Sequence, residues 1–261
     1  MKFSVLGSGS KGNSVYLENS GTGILIDAGF SGKEVANRLQ SIGRDLSDIT
    51  ALCITHEHGD HIRGVGVISR RCKIPVYGNR ATFKAAAKHL GKLHRQIEFE
   101  TGESVRIGEL RVRSFRISHD TVDPVGFVVS SGKYSVGYCT DTGKVSHLIG
   151  RRLARCNGLI LECNHNLQML KNGPYPLPLQ QRVRSKSGHL SNEDAAAFLA
   201  DLMGKQLDIV VLAHLSETNN NPELAKNAVM EAVQDWGDTE LVIAPQHQAT
   251  PLFPLDKSQG G

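Results

Sequence analysis

The sequence predicts a single domain of the α+β class across residues 1–261, with short strands in its interior and helices on its outside. The length is enough for one large domain with a hydrophobic core of its own. The 39% hydrophobic and 21% charged fractions are ordinary for a globular protein. No apolar run approaches the roughly 18 residues that a membrane span requires, so we expect no transmembrane segment. Strand and helix patterns alternate without an internal repeat, which favours one domain over several.

Short apolar runs between glycine and polar residues predict the strands, and apolar residues at helical spacing predict the helices. Ser31-Gly32-Lys33-Glu34 has the pattern of a capping box, so we expect a helix from there to about Ser41. Prolines at the start of residues 171–188 predict a basic surface loop. The other predicted strands are 2–6, 14–17, 23–26, 51–55, 74–77, 104–107, 110–117, 125–130, 134–139, 158–161, 208–213 and 240–243, and the other predicted helices are 61–72, 80–90, 143–153, 192–203 and 222–235.

Basic residues are concentrated in two segments of the chain. Residues 62–96 contain nine basic and no acidic residues, and residues 151–186 contain seven basic residues and one acidic residue. The rest of the chain has 14 basic and 25 acidic residues. Two basic segments on an otherwise acidic chain favour a polyanionic substrate. Arg182, Arg184 and Lys186 are the candidate contacts to a DNA phosphate backbone, which they would bind independently of base sequence.

The cysteines and the first residues of the chain indicate a reducing compartment. Five cysteines are an odd number and include no C-x-x-C pair, so we expect neither a disulfide framework nor a thiolate zinc site. The apolar stretch at residues 3–6 is too short for a signal peptide. We therefore expect a cytoplasmic protein.

The glycine-rich segment Gly7-Ser8-Gly9-Ser10-Lys11-Gly12 follows a predicted strand and satisfies G-x-G-x-x-G. A dinucleotide site would need a helix to begin at these glycines, so that the helix N-terminus could hold the pyrophosphate. Residues 13–18 instead have the composition of a strand. A phosphate-binding loop of the P-loop type is excluded because Gly12 is followed by asparagine. The segment is therefore expected to be a tight turn in a hairpin.

A histidine cluster, Thr55-His56-Glu57-His58-Gly59-Asp60-His61, follows the predicted strand 51–55. Imidazole and carboxylate groups are the ligands that zinc and similar first-row cations prefer. His56 and His58 are two residues apart in an extended segment, so their side chains can point the same way. Asp60 and His61 would begin a helix and could face a second metal position.

Three further polar residues, His119, Asp141 and His214, each end an apolar run that has the pattern of a strand. Such positions meet at one edge of a packed pair of sheets. His247 also follows a predicted strand and is the alternative to His214.

The series H-x-H-x-D-H, a lone histidine, an aspartate in T-D-T-G and a strand-end histidine resembles the motif series of the metallo-β-lactamase superfamily. The resemblance implies an αββα sandwich with a dinuclear metal site at one sheet edge. His214 is preferred to His247 because His-Leu-Ser resembles the last-ligand motif of the nuclease branches. The implied roles are His56, His58 and His119 on one metal, Asp60, His61 and His214 on the other, Asp141 as the bridge, and Asp27 as a residue that orients the histidine loop.

Asp141 at a position where true β-lactamases have cysteine, together with Asp60, resembles the phosphodiesterase and nuclease branches of the superfamily. Gly188-His189-Leu190-Ser191 resembles the histidine motif of the RNA-processing nucleases, where such a histidine contacts the scissile phosphate or acts as the acid. In those enzymes a glutamate at the place of Glu162 pairs with that histidine. Asp60 would also take part in catalysis, and His165 would contact the metal ligands without binding the metal itself.

The complete pattern most resembles the YycJ/WalJ-like branch of the superfamily. This resemblance implies a bacterial, metal-dependent DNA exonuclease that acts from the 5′ end and is associated with DNA repair. Two divalent ions, Zn or Mn, are implied as cofactors. Asn166 departs from the branch, which commonly has an acidic residue there. The alternatives are a small-molecule phosphodiesterase or thioester hydrolase with the same ligands, and a metal protein without activity that binds DNA or a repair partner.

Overall fold

The computed structural model describes residues 1–202 and 206–255. Within these residues the chain forms two mixed seven-stranded sheets and helices that flank them. The strands are β1 (Lys2–Gly7), β2 (Ser14–Asn19), β3 (Thr22–Ile26), β4 (Ile49–Cys53), β5 (Pro75–Gly78), β6 (Arg95–Glu98), β7 (Ser104–Ile107), β8 (Leu110–Arg116), β9 (Val125–Ser131), β10 (Tyr134–Cys139), β11 (Gly158–Glu162), β12 (Ile209–Ala213), β13 (Glu240–Ile243) and β14 (Phe253–Pro254). The helices are α1 (Gly32–Ser41), α2 (Gly59–Ile62), α3 (Val65–Cys72), α4 (Arg80–Leu90), α5 (His147–Leu153), α6 (Leu167–Asn172), α7 (Leu177–Val183), α8 (Asn192–Leu202) and α9 (Pro222–Ala232), with a 3₁₀ turn at Leu46–Asp48. The predicted α+β class is confirmed.

The order of strands brings the carboxyl ends of neighbouring parallel strands to the same edge. The first sheet has the order β14-β1-β2-β3-β4-β5-β6, in which β3, β4, β5 and β6 are parallel. The second has the order β13-β12-β11-β10-β9-β8-β7, in which β10 to β13 are parallel. Strands β11 and β12 are buried along their whole length, as parallel strands covered on both faces must be. Polar residues that follow β3 and β4 therefore lie at one edge of the first sheet. Those that follow β10, β11 and β12 lie at one edge of the second sheet.

Contacts between residues divide the chain into two compact units. The first unit contains Met1–Phe115, Thr121–Tyr134 and the chain from Ala244 onward. The second unit contains Arg116–Asp120 and Ser135–Ile243. The expectation of a single domain remains a prediction.

The hydrophobic core of the first unit is formed by its sheet and by helices α1 to α4. Helix α1 contributes Val35 and Leu39, and helix α3 contributes Val65 and Ile68. The side-chain oxygen of Ser31 accepts a hydrogen bond from the backbone of Glu34, so the predicted cap of α1 is confirmed. None of the helices in the described residues is both long and apolar enough to cross a membrane.

The prediction of a loop at residues 171–188 is wrong for its central part, which forms α7. Pro176 is the cap of this helix and Pro178 lies in its first turn, where a missing backbone N–H costs no hydrogen bond. No residue of α7 is buried, so the segment does lie at the surface. The sequence does not predict strands β6 and β14 or helix α6. Strand β6 has one apolar residue, β14 has two residues in all, and α6 is shorter than two turns.

The predicted helix 61–72 is divided into α2 and α3 at Gly64. The amide of Gly64 donates to the carbonyl of Ala28 over 2.7 Å, and a Cβ at Gly64 would overlap the carbonyl of Phe30. Close approach of the segment that follows β3 therefore interrupts the helix. Predicted helix 192–203 corresponds to α8, and its last position lies outside the described residues.

Candidate functional site

In the first unit, Asp27 organises the histidine cluster from the end of β3. One carboxylate oxygen accepts from the backbone amide of Thr55 over 2.9 Å. The other accepts from the Thr55 hydroxyl over 2.8 Å and from Nδ1 of His61 over 2.7 Å. All three residues are buried, so these bonds are protected from water. Through these bonds Asp27 can orient Thr55 and His61, which is the role that the sequence predicts for it.

The four candidate ligands of the histidine cluster lie close together. The ring centroid of His56 is 4.8 Å from that of His58 and 4.0 Å from that of His61. Oδ2 of Asp60 is 3.7 Å from Nε2 of His61. Two ligand atoms on one zinc ion lie at most about 4.2 Å apart, because each bond is about 2.1 Å long. Asp60 and His61 therefore fit two positions on one ion.

Gly29 allows the segment after Asp27 to lie against the histidine cluster. Its amide donates to the carbonyl of Asn13 over 2.9 Å. A Cβ at this position would overlap the carbonyl oxygen of Asp60 and lie 2.6 Å from the amide nitrogen of Asn13. All of these are backbone atoms, which cannot rotate away.

Gly29→Ala is therefore expected to lower the free energy of unfolding by about 3 kcal/mol or more, because it overpacks fixed backbone. Urea unfolding followed by circular dichroism measures the change. Gly59→Ala is the matched control, since a Cβ at Gly59 has open space and the residue begins α2. It should leave stability unchanged or raise it by up to about 1 kcal/mol. Equal stability of the two variants would contradict the assigned contact.

In the second unit, four candidate ligand atoms lie within 4.8 Å of one another. They belong to Asp141, Glu162, His189 and His214. Asp141 follows β10, Glu162 ends β11 and His214 follows β12, so three neighbouring parallel strands deliver three of them to one edge. His189 lies between α7 and α8.

Glu162 is the centre of this group and is fully buried. Its Oε1 is 2.6 Å from Nδ1 of His189 and 3.0 Å from Nδ1 of His214. Its Oε2 accepts from the backbone amides of Thr142 over 2.8 Å and Leu190 over 3.3 Å. A carboxylate can only accept here, so both rings carry their proton on Nδ1 and turn Nε2 away from Glu162.

The pairing of Glu162 with His189 changes the pKa of both groups in opposite directions. Burial by itself raises the pKa of Glu162, but the charge of His189 and the hydrogen bonds from both histidines outweigh burial and lower the pKa well below its usual range. Burial by itself lowers the pKa of His189, but the charge and hydrogen bond of Glu162 raise it to about 9. The pairing with Glu162 therefore favours the imidazolium form of His189.

Two further candidate histidine ligands, His56 and His119, are also held through Nδ1. Nδ1 of His56 is 2.9 Å from the Thr55 hydroxyl, and Nδ1 of His119 is 3.3 Å from the carbonyl of Gly188. Nε2 of His119 lies 4.0 Å from Asp141, and Nε2 of His214 lies 3.5 Å from the same oxygen. A hydrogen bond to one ring nitrogen that leaves the other for an ion is the usual support of a metal-binding histidine. The donor set fits divalent metal ions.

Three of the predicted site residues have a left-handed backbone. The φ angles are 58° at Asp27, 57° at Asp141 and 56° at His214. Residues other than glycine rarely adopt this conformation, and it is concentrated at functional sites. Each of the three ends an apolar run, and this is the sequence signal by which they could be found. The backbone angle itself could not be predicted from the sequence.

The candidate DNA contacts Arg182, Arg184 and Lys186 are all exposed. Nε of Arg182 donates to Asp120 over 2.6 Å, so part of its charge is balanced. The hydroxyl of Ser118 donates to the carbonyl of Lys186 over 2.7 Å. The basic segment is thereby attached to the loop that carries His119.

Asn164, which no sequence pattern indicates, makes the supporting hydrogen bond to His214 that was expected of His165. Its side-chain nitrogen donates to the carbonyl of His214 over 2.8 Å. His165 is buried, and neither of its ring nitrogens has a hydrogen-bond partner among the described residues. Burial lowers the pKa of His165 to about 4. The alternative ligand His247 is exposed, whereas His214 is buried beside Glu162.

Comparison with known proteins agrees with this geometry. The family described as the β-lactamase superfamily domain matches residues 22–215. The chain belongs to the metallo-β-lactamase superfamily. Exodeoxyribonuclease WalJ of Streptococcus pneumoniae is 39% identical over 260 residues, which cover 96% of this chain and 97% of the relative. Exodeoxyribonuclease YycJ of Bacillus anthracis is 35% identical over 239 residues, which cover 91% of this chain and 90% of the relative.

The predicted membership of the YycJ/WalJ branch is thus confirmed. Among solved structures, the metallo-β-lactamase fold protein YhfI from Bacillus subtilis superimposes with a TM-score of 0.74 at 17% identity. The match covers 95% of this chain and 98% of that protein. At this identity the likeness concerns the fold alone, and it confirms the predicted superfamily fold.

Proposed function

We propose that this protein is a metal-dependent phosphodiesterase that degrades DNA as an exonuclease, from the 5′ end, in DNA repair in a bacterial cytoplasm. The observation that carries the proposal is the buried Glu162–His189 pair beside Asp141 and His214, which joins a proton donor to a metal-binding set. The full-length relatives named exodeoxyribonuclease support DNA as the substrate. Five free cysteines support a reducing compartment.

The ligand set that we propose for two divalent ions is the one that the superfamily motifs imply. Zinc suits the histidines and manganese suits the carboxylates. Such ions neutralise charge on a phosphodiester and lower the pKa of water to near neutrality. One ion would be held by His56, His58 and His119, the other by Asp60, His61 and His214, with Asp141 shared by both.

We assign the proton transfer to His189. The leaving oxygen of a phosphodiester needs a proton when the P–O bond breaks. His189 directs its Nδ1 proton to Glu162, so the proton on Nε2 is the one available to the leaving oxygen. Glu162 keeps the ring charged and fixes its orientation, and the amides of Thr142 and Leu190 fix Glu162 in turn.

The DNA backbone is proposed to lie along Arg184 and Lys186. The double variant Arg184→Glu/Lys186→Glu is expected to raise the Kd for DNA about tenfold or more, and to flatten its salt dependence, because phosphate contacts release counterions. Hydrolysis of bis(p-nitrophenyl) phosphate should be unchanged. Fluorescence anisotropy at several salt concentrations measures the Kd.

Arg111→Glu/Lys133→Glu is the matched control for this variant, because both are exposed basic residues of the first unit that lie outside the two basic segments. We avoid Arg182 in the test, since a glutamate there would face Asp120. Equal loss of DNA binding and of small-substrate hydrolysis would indicate damage to the metal site instead.

Digestion of end-labelled linear DNA by the native protein tests the proposed function. Single- and double-stranded substrates are incubated with Mn²⁺, with Zn²⁺ or with EDTA. We expect stepwise release of nucleotides from the 5′ end with a metal and none with EDTA. Release from the 3′ end would contradict the polarity, and cleavage of bis(p-nitrophenyl) phosphate without digestion of DNA would indicate a small-molecule phosphodiesterase.

A further inference from the structure

The glycine-rich turn between β1 and β2 contains a buried residue to which the mechanism assigns no role. The turn is closed by the amide of Gly12, which donates to the carbonyl of Gly9 over 3.0 Å. Asn13 follows it and is fully buried. A buried side-chain amide needs partners for one oxygen and two N–H groups, and the partners of Asn13 show what the turn is for.

The turn holds the Asn13 side chain in one orientation. Its oxygen accepts from the amide of Gly9 over 2.8 Å and from the hydroxyl of Ser8 over 3.1 Å. Its nitrogen donates back to the carbonyl of Gly9 over 3.1 Å. A side chain fixed by three bonds to its own turn cannot exchange its oxygen and nitrogen.

The same nitrogen faces two candidate metal ligands. It is 3.2 Å from Oδ2 of Asp60 and 3.0 Å from Nε2 of His61. The Nδ1 of His61 donates to Asp27, so its Nε2 is a lone pair that accepts from Asn13. The backbone amide of Asn13 also donates to the carbonyl of Asp60 over 2.8 Å. Asn13 therefore links Asp60 and His61 through its side-chain nitrogen, within the first unit.

We infer that Asn13 is a positioning residue for metal binding, whose side-chain amide orients Asp60 and His61 and so sets the affinity of the ion that they bind. The inference rests on the proposed metal site. Without an ion, the side-chain amide of Asn13 donates to the carboxylate of Asp60 and to Nε2 of His61, and so keeps both groups turned toward the same position. An ion that takes the lone pair of His61 releases that N–H, which is then shared between Asp60 and the turn.

The first test compares Mn²⁺ binding to Asn13→Ala and Ser10→Ala by calorimetry, with metal content counted by electron paramagnetic resonance. For Asn13→Ala we expect one of two affinities to fall by about 10- to 100-fold, as for other residues that support metal ligands, and the second to change less than threefold. Ser10→Ala changes an exposed residue of the same turn, and should keep both affinities. Two native affinities in Asn13→Ala would overturn the inference.

The second test uses the native protein, so it does not depend on how Asn13→Ala folds. In protein labelled with ¹⁵N-asparagine, the side-chain amide signals of Asn13 should move during a Zn²⁺ titration at one of two equivalents. The amide of Asn79 is the control, because it caps α4. Asn13 signals that stay unmoved while two ions bind would overturn the inference. Failure of the native protein to bind any ion would instead overturn the proposed function.

Discussion

Asp141→Asn is expected to lower kcat/KM on DNA by about a thousandfold or more. The carboxylate lies 3.5 Å from Nε2 of His214 and 4.0 Å from Nε2 of His119, and it is the proposed bridge between two ions. An amide of the same shape removes the negative charge but leaves the packing. A loss of about 4 kcal/mol of transition-state stabilisation corresponds to a factor of about a thousand. Initial rates of nucleotide release measure the effect.

Asp120→Asn is the matched control for Asp141→Asn. Asp120 also has a carboxylate oxygen 3.5 Å from Nε2 of His119, but it is 30% exposed and belongs to the ion pair with Arg182. An ion pair exposed to solvent contributes little, so we expect a change of less than about fivefold. If Asp120→Asn lost as much activity as Asp141→Asn, the assignment of the metal-bridging role to Asp141 would be contradicted. Metal content measured on both proteins separates loss of the ions from loss of chemistry.

Glu162→Gln is expected to lower kcat on DNA by about 100- to 1,000-fold, because the proton donor is lost. Without the negative charge of Glu162, burial dominates and the pKa of His189 falls from about 9 toward or below the ordinary value of about 6.5. A donor must be protonated. As the pH rises, the activity of the variant should therefore begin to fall at a lower pH than the activity of the native protein. The pH profile of kcat measures this shift.

The choice of substrate makes this second prediction specific. Hydrolysis of bis(p-nitrophenyl) phosphate, whose leaving group needs no proton, should fall less than tenfold in Glu162→Gln. His189→Ala should show the same contrast, and the double variant should be no worse than either single variant, because the two residues act as one unit. An equal loss on both substrates, together with loss of bound metal, would show that Glu162 supports the metal ligand His214 and not proton transfer.

The candidate metal ligands could be found in the sequence because their signal is local. His56, His58, Asp60 and His61 lie within six residues of one another, and Asp141 and His214 each end an apolar strand. Strand alternation and the cap at Ser31 likewise depend on neighbouring residues, so the α+β class and most elements were predicted. The motif series identified the superfamily for the same reason, since it is a matter of residue types at fixed spacing.

Only the tertiary structure showed that Asn13 and Asn164 support candidate ligands, and which ring nitrogen of each histidine carries the proton. Asn13 is 47 residues from Asp60, and Asn164 is 50 residues from His214, so nothing in either local pattern pairs them. The ion pair of Arg182 with Asp120 likewise joins residues 62 positions apart in the chain. The sequence determined the chemistry available to this protein, because ligand types and spacing are local. The fold determined the direction of each lone pair and proton, because hydrogen bonds between segments far apart in the chain set them.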